Sequence, residues 1–64
     1  MPTITIDAGK MDRDQKLRLV QGFVTVASEV LNIPEQAFTT IIRENDPQNI
    51  GVGKELLADR HAKK

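Results

Sequence analysis

Residues 3–8, Thr3-Ile4-Thr5-Ile6-Asp7-Ala8, decide how the rest of the chain is read. Apolar Ile4, Ile6 and Ala8 alternate with Thr3, Thr5 and Asp7, the period-two pattern of a strand with one face covered. Pro2, just before it, shares the parity of the isoleucines. Gly9 and Lys10 break the run, and Asp12 followed by Gln15 makes an aspartate form of the capping box that starts a helix. Asp14 adds a carboxylate to the first turn, where the helix dipole favours it. Capping and dipole compensation therefore account for Asp12 and Asp14 without a catalytic acid pair.

From Arg13 to Leu31 the pattern is helical, and its apolar arc is wide. One stripe is Leu17, Val20, Val24, Ala27 and Leu31; a second, Leu19, Phe23, Val26 and Val30, is rotated from it by about 100°. Such an arc exceeds what one face of a two-stranded sheet needs. The second stripe is either a subunit contact or packing beneath the C-terminal segment. Gly22 inside the helix costs up to about 1 kcal/mol relative to alanine, which close approach of another backbone would offset. Asn32 suits the helix end, and Pro34 cannot continue it.

The run from Ala37 to Glu44 is β-branched and aromatic, as a second strand requires. Strand, helix and strand form a βαβ unit with parallel strands and a right-handed crossover, an α/β (α+β) fold in a single domain spanning residues 1–64. Asp46 to Asn49 is a turn-rich loop, and Ile50-Gly51-Val52-Gly53 reads as a C-terminal arm or short hairpin. With Lys54 this segment superficially resembles a phosphate loop, but the glycine spacing is too short and Glu55 stands where a magnesium-binding Ser or Thr belongs. Leu56 and Leu57 anchor the last stretch, leaving Asp59, Arg60 and His61 in solvent and Lys63 and Lys64 as a solvated tail.

Composition narrows the function. A chain of 64 residues is at the margin of independent stability, and with no cysteine it has no disulfide to staple it. A single histidine and no cysteine exclude the usual structural zinc sets. Two unpaired sheet edges and the second helix stripe point to self-association that completes the sheet. Nine basic residues balance nine acidic ones, and Phe23 and Phe38 are the only aromatic side chains, which argues against a nucleic-acid partner. No apolar run approaches a membrane span, and no signal peptide is evident, so a cytoplasmic location without a membrane partner is the expectation.

No nucleophile triad, metal cluster or dinucleotide fingerprint is present in the sequence. Pro2 is the unusual position. Loss of Met1 would convert its nitrogen from an amide into a free secondary amine on a rigid ring; otherwise Pro2 is simply a residue tolerated at a strand start.

Met1-Pro2, the alternating strand, Gly9-Lys10, Asp14-Gln15-Lys16, Asn32-Ile33-Pro34, Ile41-Ile42-Arg43-Glu44 and Asn49-Ile50-Gly51-Val52-Gly53 together resemble the 4-oxalocrotonate tautomerase family over almost the whole chain. The resemblance implies a cofactor-free, metal-free isomerase in which Pro2, after Met1 is lost, is general base and acid. It also implies a homohexamer built as a trimer of dimers, acting on an enol or unsaturated 2-oxo acid such as 2-hydroxymuconate. Lys10 stands where the family has a first arginine, Thr39 where it has a second, and Ile50 where it has an arm aromatic. Arg43, two pleats beyond Thr39 with the same parity, is a candidate replacement cation, or else a surface ion-pair partner of Glu44 or Asp46. Lys54 also interrupts the glycine pair common at the end of the arm. Pro2 as catalytic residue, with Lys10, Thr39, Arg43 and Ile50 around the substrate, is thus the expected site. The alternative is a catalytically silent oligomerisation or binding module of the same fold, which Thr39 and Ile50 favour, whereas the Met1-Pro2 start favours the enzyme.

Overall fold

The computed structural model describes residues 1–62. The expected Lys63–Lys64 tail lies outside the described residues. Strand β1 (Thr3–Ala8) pairs in parallel with β2 (Thr39–Glu44), Thr3 opposite Thr39 and Ala8 opposite Glu44. Helix α1 (Arg13–Leu31) connects them. The arm holds β3 (Gly51–Val52), antiparallel to β4 (Glu55–Leu56), and helix α2 (Leu57–Ala62). The βαβ unit and hairpin are as the sequence leads one to expect.

Local chemistry sets the boundaries. Asp12 accepts from the Gln15 amide at 2.8 Å while the Gln15 side chain accepts from the Asp12 amide at 3.1 Å, so the capping box is complete. Asn32 ends α1 at φ 58°, ψ 46°, a left-handed conformation that asparagine tolerates better than most residues. The hairpin turns at Gly53, φ 62°.

One reading needs correction. The second strand starts at Thr39, not Ala37: Glu35–Ala37 form a 3₁₀ turn after Pro34, whose carbonyl accepts from the Ala37 amide at 3.0 Å. Local β propensity at Ala37–Phe38 yields to that turn. The last stretch after the arm, to which the sequence assigned no element, is helical; Leu57 donates to the Ile50 carbonyl at 2.8 Å, and Arg60 pairs with Glu55 at 2.9 Å.

The helix packs on the face of Ile4, Ile6, Ala8, Thr40 and Ile42 along a line between the two apolar stripes, so that Leu19, Val20, Phe23, Val24 and Ala27 are all half-buried. Nineteen helical residues span about 28 Å, whereas six-residue strands span about 20 Å. The last turn overhangs the sheet, and Val26, Val30 and Leu31 are 60%, 77% and 54% exposed. Among the described residues none is fully buried. The radius of gyration is 15.4 Å, against about 11 Å for a compact domain of this size. The excess is the arm, whose main contacts are with itself and with the 3₁₀ turn at Pro47–Asn49.

Candidate functional site

Pro2 is half-buried at the head of β1, where its carbonyl accepts from the Thr39 amide at 3.1 Å. Met1, by contrast, is 94% exposed. Two residues beyond Pro2 and on its face, Ile4 joins Phe23, Val26, Ala27, Val30 and Leu31 around an open apolar groove of about 480 Å³. The side of the Pro2 end formed by Ile4 and the last turns of α1 is therefore apolar.

The other end is charged. Lys10 follows β1 and shares a cavity of about 340 Å³ with Glu44, Asn45, Asp46 and Pro47. Glu44 reaches Lys16 at 3.3 Å with one carboxylate oxygen and accepts from the Met11 amide at 2.9 Å with the other. The Met11 hydrogen bond first, then Lys16, holds the Glu44 carboxyl below its ordinary value, with a smaller contribution from Lys10. An exposed pair such as Lys16–Glu44 adds little to stability; its role here is positional.

The five candidate residues are not brought together within one subunit. Thr39 touches Pro2 through the backbone, but its side chain lies on the open face with Ile41 and Arg43. Arg43 lies about 13 Å along β2 from Thr39, and the end of β1, where Lys10 follows, is about 20 Å from Pro2. Arg43 makes neither of the ion pairs considered for it: Glu44 is engaged by Lys16, and no contact joins Arg43 to Asp46 among the described residues. Ile50 is half-buried in the arm, its carbonyl capped by Leu57. Among the described residues there is no group of three or more His, Cys, Asp or Glu able to hold a metal, and no helix long and apolar enough to cross a membrane.

Sequence reasoning missed two features. A groove of about 340 Å³ between α1 and the start of β2 is lined by Val20, Val24, Glu35, Phe38 and Thr40, and the Thr40 hydroxyl is buried there without a hydrogen-bond partner. The even parity of Thr40 was the available signal, since it placed a hydroxyl on the helix-facing side of β2. The second feature is Glu44, whose partners depend on contacts across the whole crossover.

The hydrogen bonds Thr39 N–H to Pro2 and Asn45 N–H to Ala8 (2.7 Å) fix which backbone groups of the sheet face inward. By parity, the amides and carbonyls of Thr3, Thr5 and Asp7 face out from β1, and those of Thr40, Ile42 and Glu44 face out from β2.

Residues 2–60 match a family described as tautomerase enzyme. Solved structures similar to the chain include DmpI from Archaeoglobus fulgidus, 33% identical over 91% of this chain and 100% of that one, with a TM-score of 0.82. DmpI from Helicobacter pylori is 29% identical over 91% and 98%, TM-score 0.80. TomN, described as a 4-oxalocrotonate tautomerase homologue in the tomaymycin biosynthetic pathway, is 26% identical over 95% of both chains, TM-score 0.88. No curated protein sequence matches the chain significantly.

Proposed function

The chain belongs to the tautomerase family, and on that premise we propose that it is a cytoplasmic, cofactor-independent keto–enol or double-bond tautomerase of enol or unsaturated 2-oxo acids, 2-hydroxymuconate being one. Pro2 is its general base and acid once Met1 is removed, and residues 1–64 act as one domain. The observation that carries the reading is the setting of Pro2. Its carbonyl is held at the strand head by the Thr39 hydrogen bond, two residues before Ile4, which lines an apolar groove, while the residue whose loss frees its nitrogen is almost wholly exposed. Apolar surroundings disfavour a protonated amine and move its pKa toward neutrality, where a general base works best. The neutral amine takes a proton from the substrate hydroxyl or carbon as an electron pair shifts along the conjugated chain. The resulting ammonium returns that proton to another carbon, so atoms and charge balance within the substrate.

The acid group needs a cation, which one subunit does not bring to Pro2. Pairing of two β1 edges about a two-fold axis is necessarily antiparallel, so it sets Pro2 of one copy beside the Ala8–Lys10 end of the other. Arg43 of that copy is then a strand further away and on the open face, which makes Lys10 the principal carboxylate ligand and Arg43 a secondary one. Thr39 and Ile50 contribute a polar and an apolar wall, Ile50 by way of a neighbour's arm. Three such dimers complete the proposed homohexamer.

The test begins with intact mass of protein from its native host, where retention of Met1 would remove the base. Processed protein is then assayed with 2-hydroxymuconate and an aryl enolpyruvate beside Pro2→Ala. Loss of at least about 100-fold in kcat/KM is expected for a general base. Equal rates would remove Pro2 from the mechanism, and no activity in the processed parent would leave the non-catalytic binding module as the reading.

A further inference from the structure

We infer that Glu44 is a positioning residue for Lys10: it clamps the turn between β1 and α1 so that the Lys10 ammonium is presented to the substrate carboxylate. This rests on the reading of Lys10 as the carboxylate ligand. Consecutive residues of β2 and the segment after it hold the turn on both sides of Lys10. Asn45 donates its amide to the Ala8 carbonyl at 2.7 Å, and Glu44 accepts the Met11 amide at 2.9 Å. The second Glu44 oxygen is directed to Lys16, one turn into α1, at 3.3 Å. The same carboxylate thus ties the turn to the start of the helix, while the Asp12–Gln15 capping box fixes the next residue along. With both Glu44 oxygens engaged elsewhere, Lys10 feels this carboxylate only through space and keeps its donors for a ligand.

A lysine is a flexible point charge on a long stem, with none of the built-in two-pronged geometry of an arginine. Its precision must come from the backbone that carries it. At a Gly9-Lys10 turn, where a Cβ added at Gly9 would meet nothing within 4 Å, that backbone has little packing of its own. The Glu44 clamp supplies the restraint. The surrounding charges are Lys16, Asp46 and, across the strands, Asp7, whose carboxylate is 3.4 Å from the Asn45 side-chain amide.

The experiment is a double-mutant cycle of Glu44→Ala and Lys10→Ala on processed, assembled protein, with kcat and KM measured for an aryl enolpyruvate and hydrogen exchange followed at the Met11 amide. Glu44→Ala should raise KM about 5- to 10-fold with kcat changed less than about 2-fold, the signature of lost ground-state binding. Met11 exchange should accelerate, and in the Lys10→Ala background Glu44→Ala should add no further rise in KM. Glu44→Gln, which keeps an acceptor for Met11 but loses the charge paired to Lys16, should fall between wild type and Glu44→Ala. A rise in KM from Glu44→Ala that persists undiminished without Lys10 would overturn the inference, as would an unchanged KM beside a Lys10→Ala variant that is impaired. If Lys10→Ala itself leaves KM unchanged, the inference falls with the assignment of Lys10. Pro2→Ala, assayed in parallel, reports separately on the tautomerase reading.

Discussion

Val30→Asp tests whether the overhanging end of α1 is a contact between copies. Burying a valine side chain fully is worth roughly 2 kcal/mol, and Val30 is 77% exposed in the subunit, so covering it contributes about 1.5 kcal/mol. A two-fold contact uses the residue twice, for about 3 kcal/mol, and that loss alone weakens association roughly 100-fold or more. An aspartate in the same place adds the desolvation of an unpaired carboxylate, a further few kcal/mol. Sedimentation velocity across about 1–100 µM should show the parent assembled and Val30→Asp dissociated. Because the lone subunit fully buries none of the described residues, its helical circular dichroism should fall as it dissociates. Gln36→Asp, the same charge on an exposed turn away from the stripe, should leave mass and helicity intact. A Val30→Asp protein with the parent's mass and Tm would refute the reasoning and leave that face to solvent.

Asp12→Ala removes the side-chain acceptor of the capping box and should cost about 1 kcal/mol, read as a lower Tm at fixed protein concentration. Asn32→Ala forces an alanine into φ 58° and should cost about 1 kcal/mol, whereas Asn32→Gly should be nearly neutral in the same assay. Gly22→Ala should increase helicity of the dissociated subunit, since an added Cβ meets nothing within 4 Å; a loss of stability confined to the assembled form would locate a neighbour's backbone there. Glu44, lowered by its Met11 hydrogen bond and by Lys16, should release its clamp in acid. A depressed folded value means the contribution is present above the unfolded glutamate pKa of about 4.3 and is lost as pH falls through the folded value. The Met11 amide shift should follow that titration below the unfolded glutamate value, and Glu44→Gln should abolish the step.

What was legible in the sequence was what short range dictates. The alternation from Thr3 to Ala8, the Asp12–Gln15 reciprocity and the Asn32–Pro34 stop each depend on residues within one turn or pleat, and each formed where expected. At Ala37–Phe38, β propensity competed with the turn that Pro34 initiates, and composition gave no measure of which would prevail. The helix packs along the line between the two stripes because its axis is set by where the strands end, a tertiary constraint that periodicity alone does not contain. Glu44 lay beyond reach for the same reason. Its partner Met11 is 33 residues away, and only strand register brings them together. Of the candidate site, Pro2 could be singled out from its position and the length of β1 alone sets Lys10 at the far end from it, whereas the separation of Arg43 from Pro2 required the register of the parallel pairing.

On the function proposed for Pro2 and Lys10, that separation gives the small size of the chain a mechanistic meaning. Near Pro2, Ile4 and the last turns of α1 line an apolar groove, and the opposite end of the sheet holds Lys10 beside Glu44, Asn45 and Asp46. Neither end is sufficient: an amine without a cation holds no substrate anion, and a cation without the amine moves no proton. Parallel alignment of two copies would set like ends together and leave the functions about 20 Å apart. Antiparallel alignment about a two-fold axis unites them twice, once at each end of the paired edge. Dissociation should therefore abolish turnover rather than merely reduce stability. Tautomerase activity diluted through the association range should fall in step with the assembled fraction, and activity retained by the dissociated subunit would show that the cation and the proline need not come from different copies.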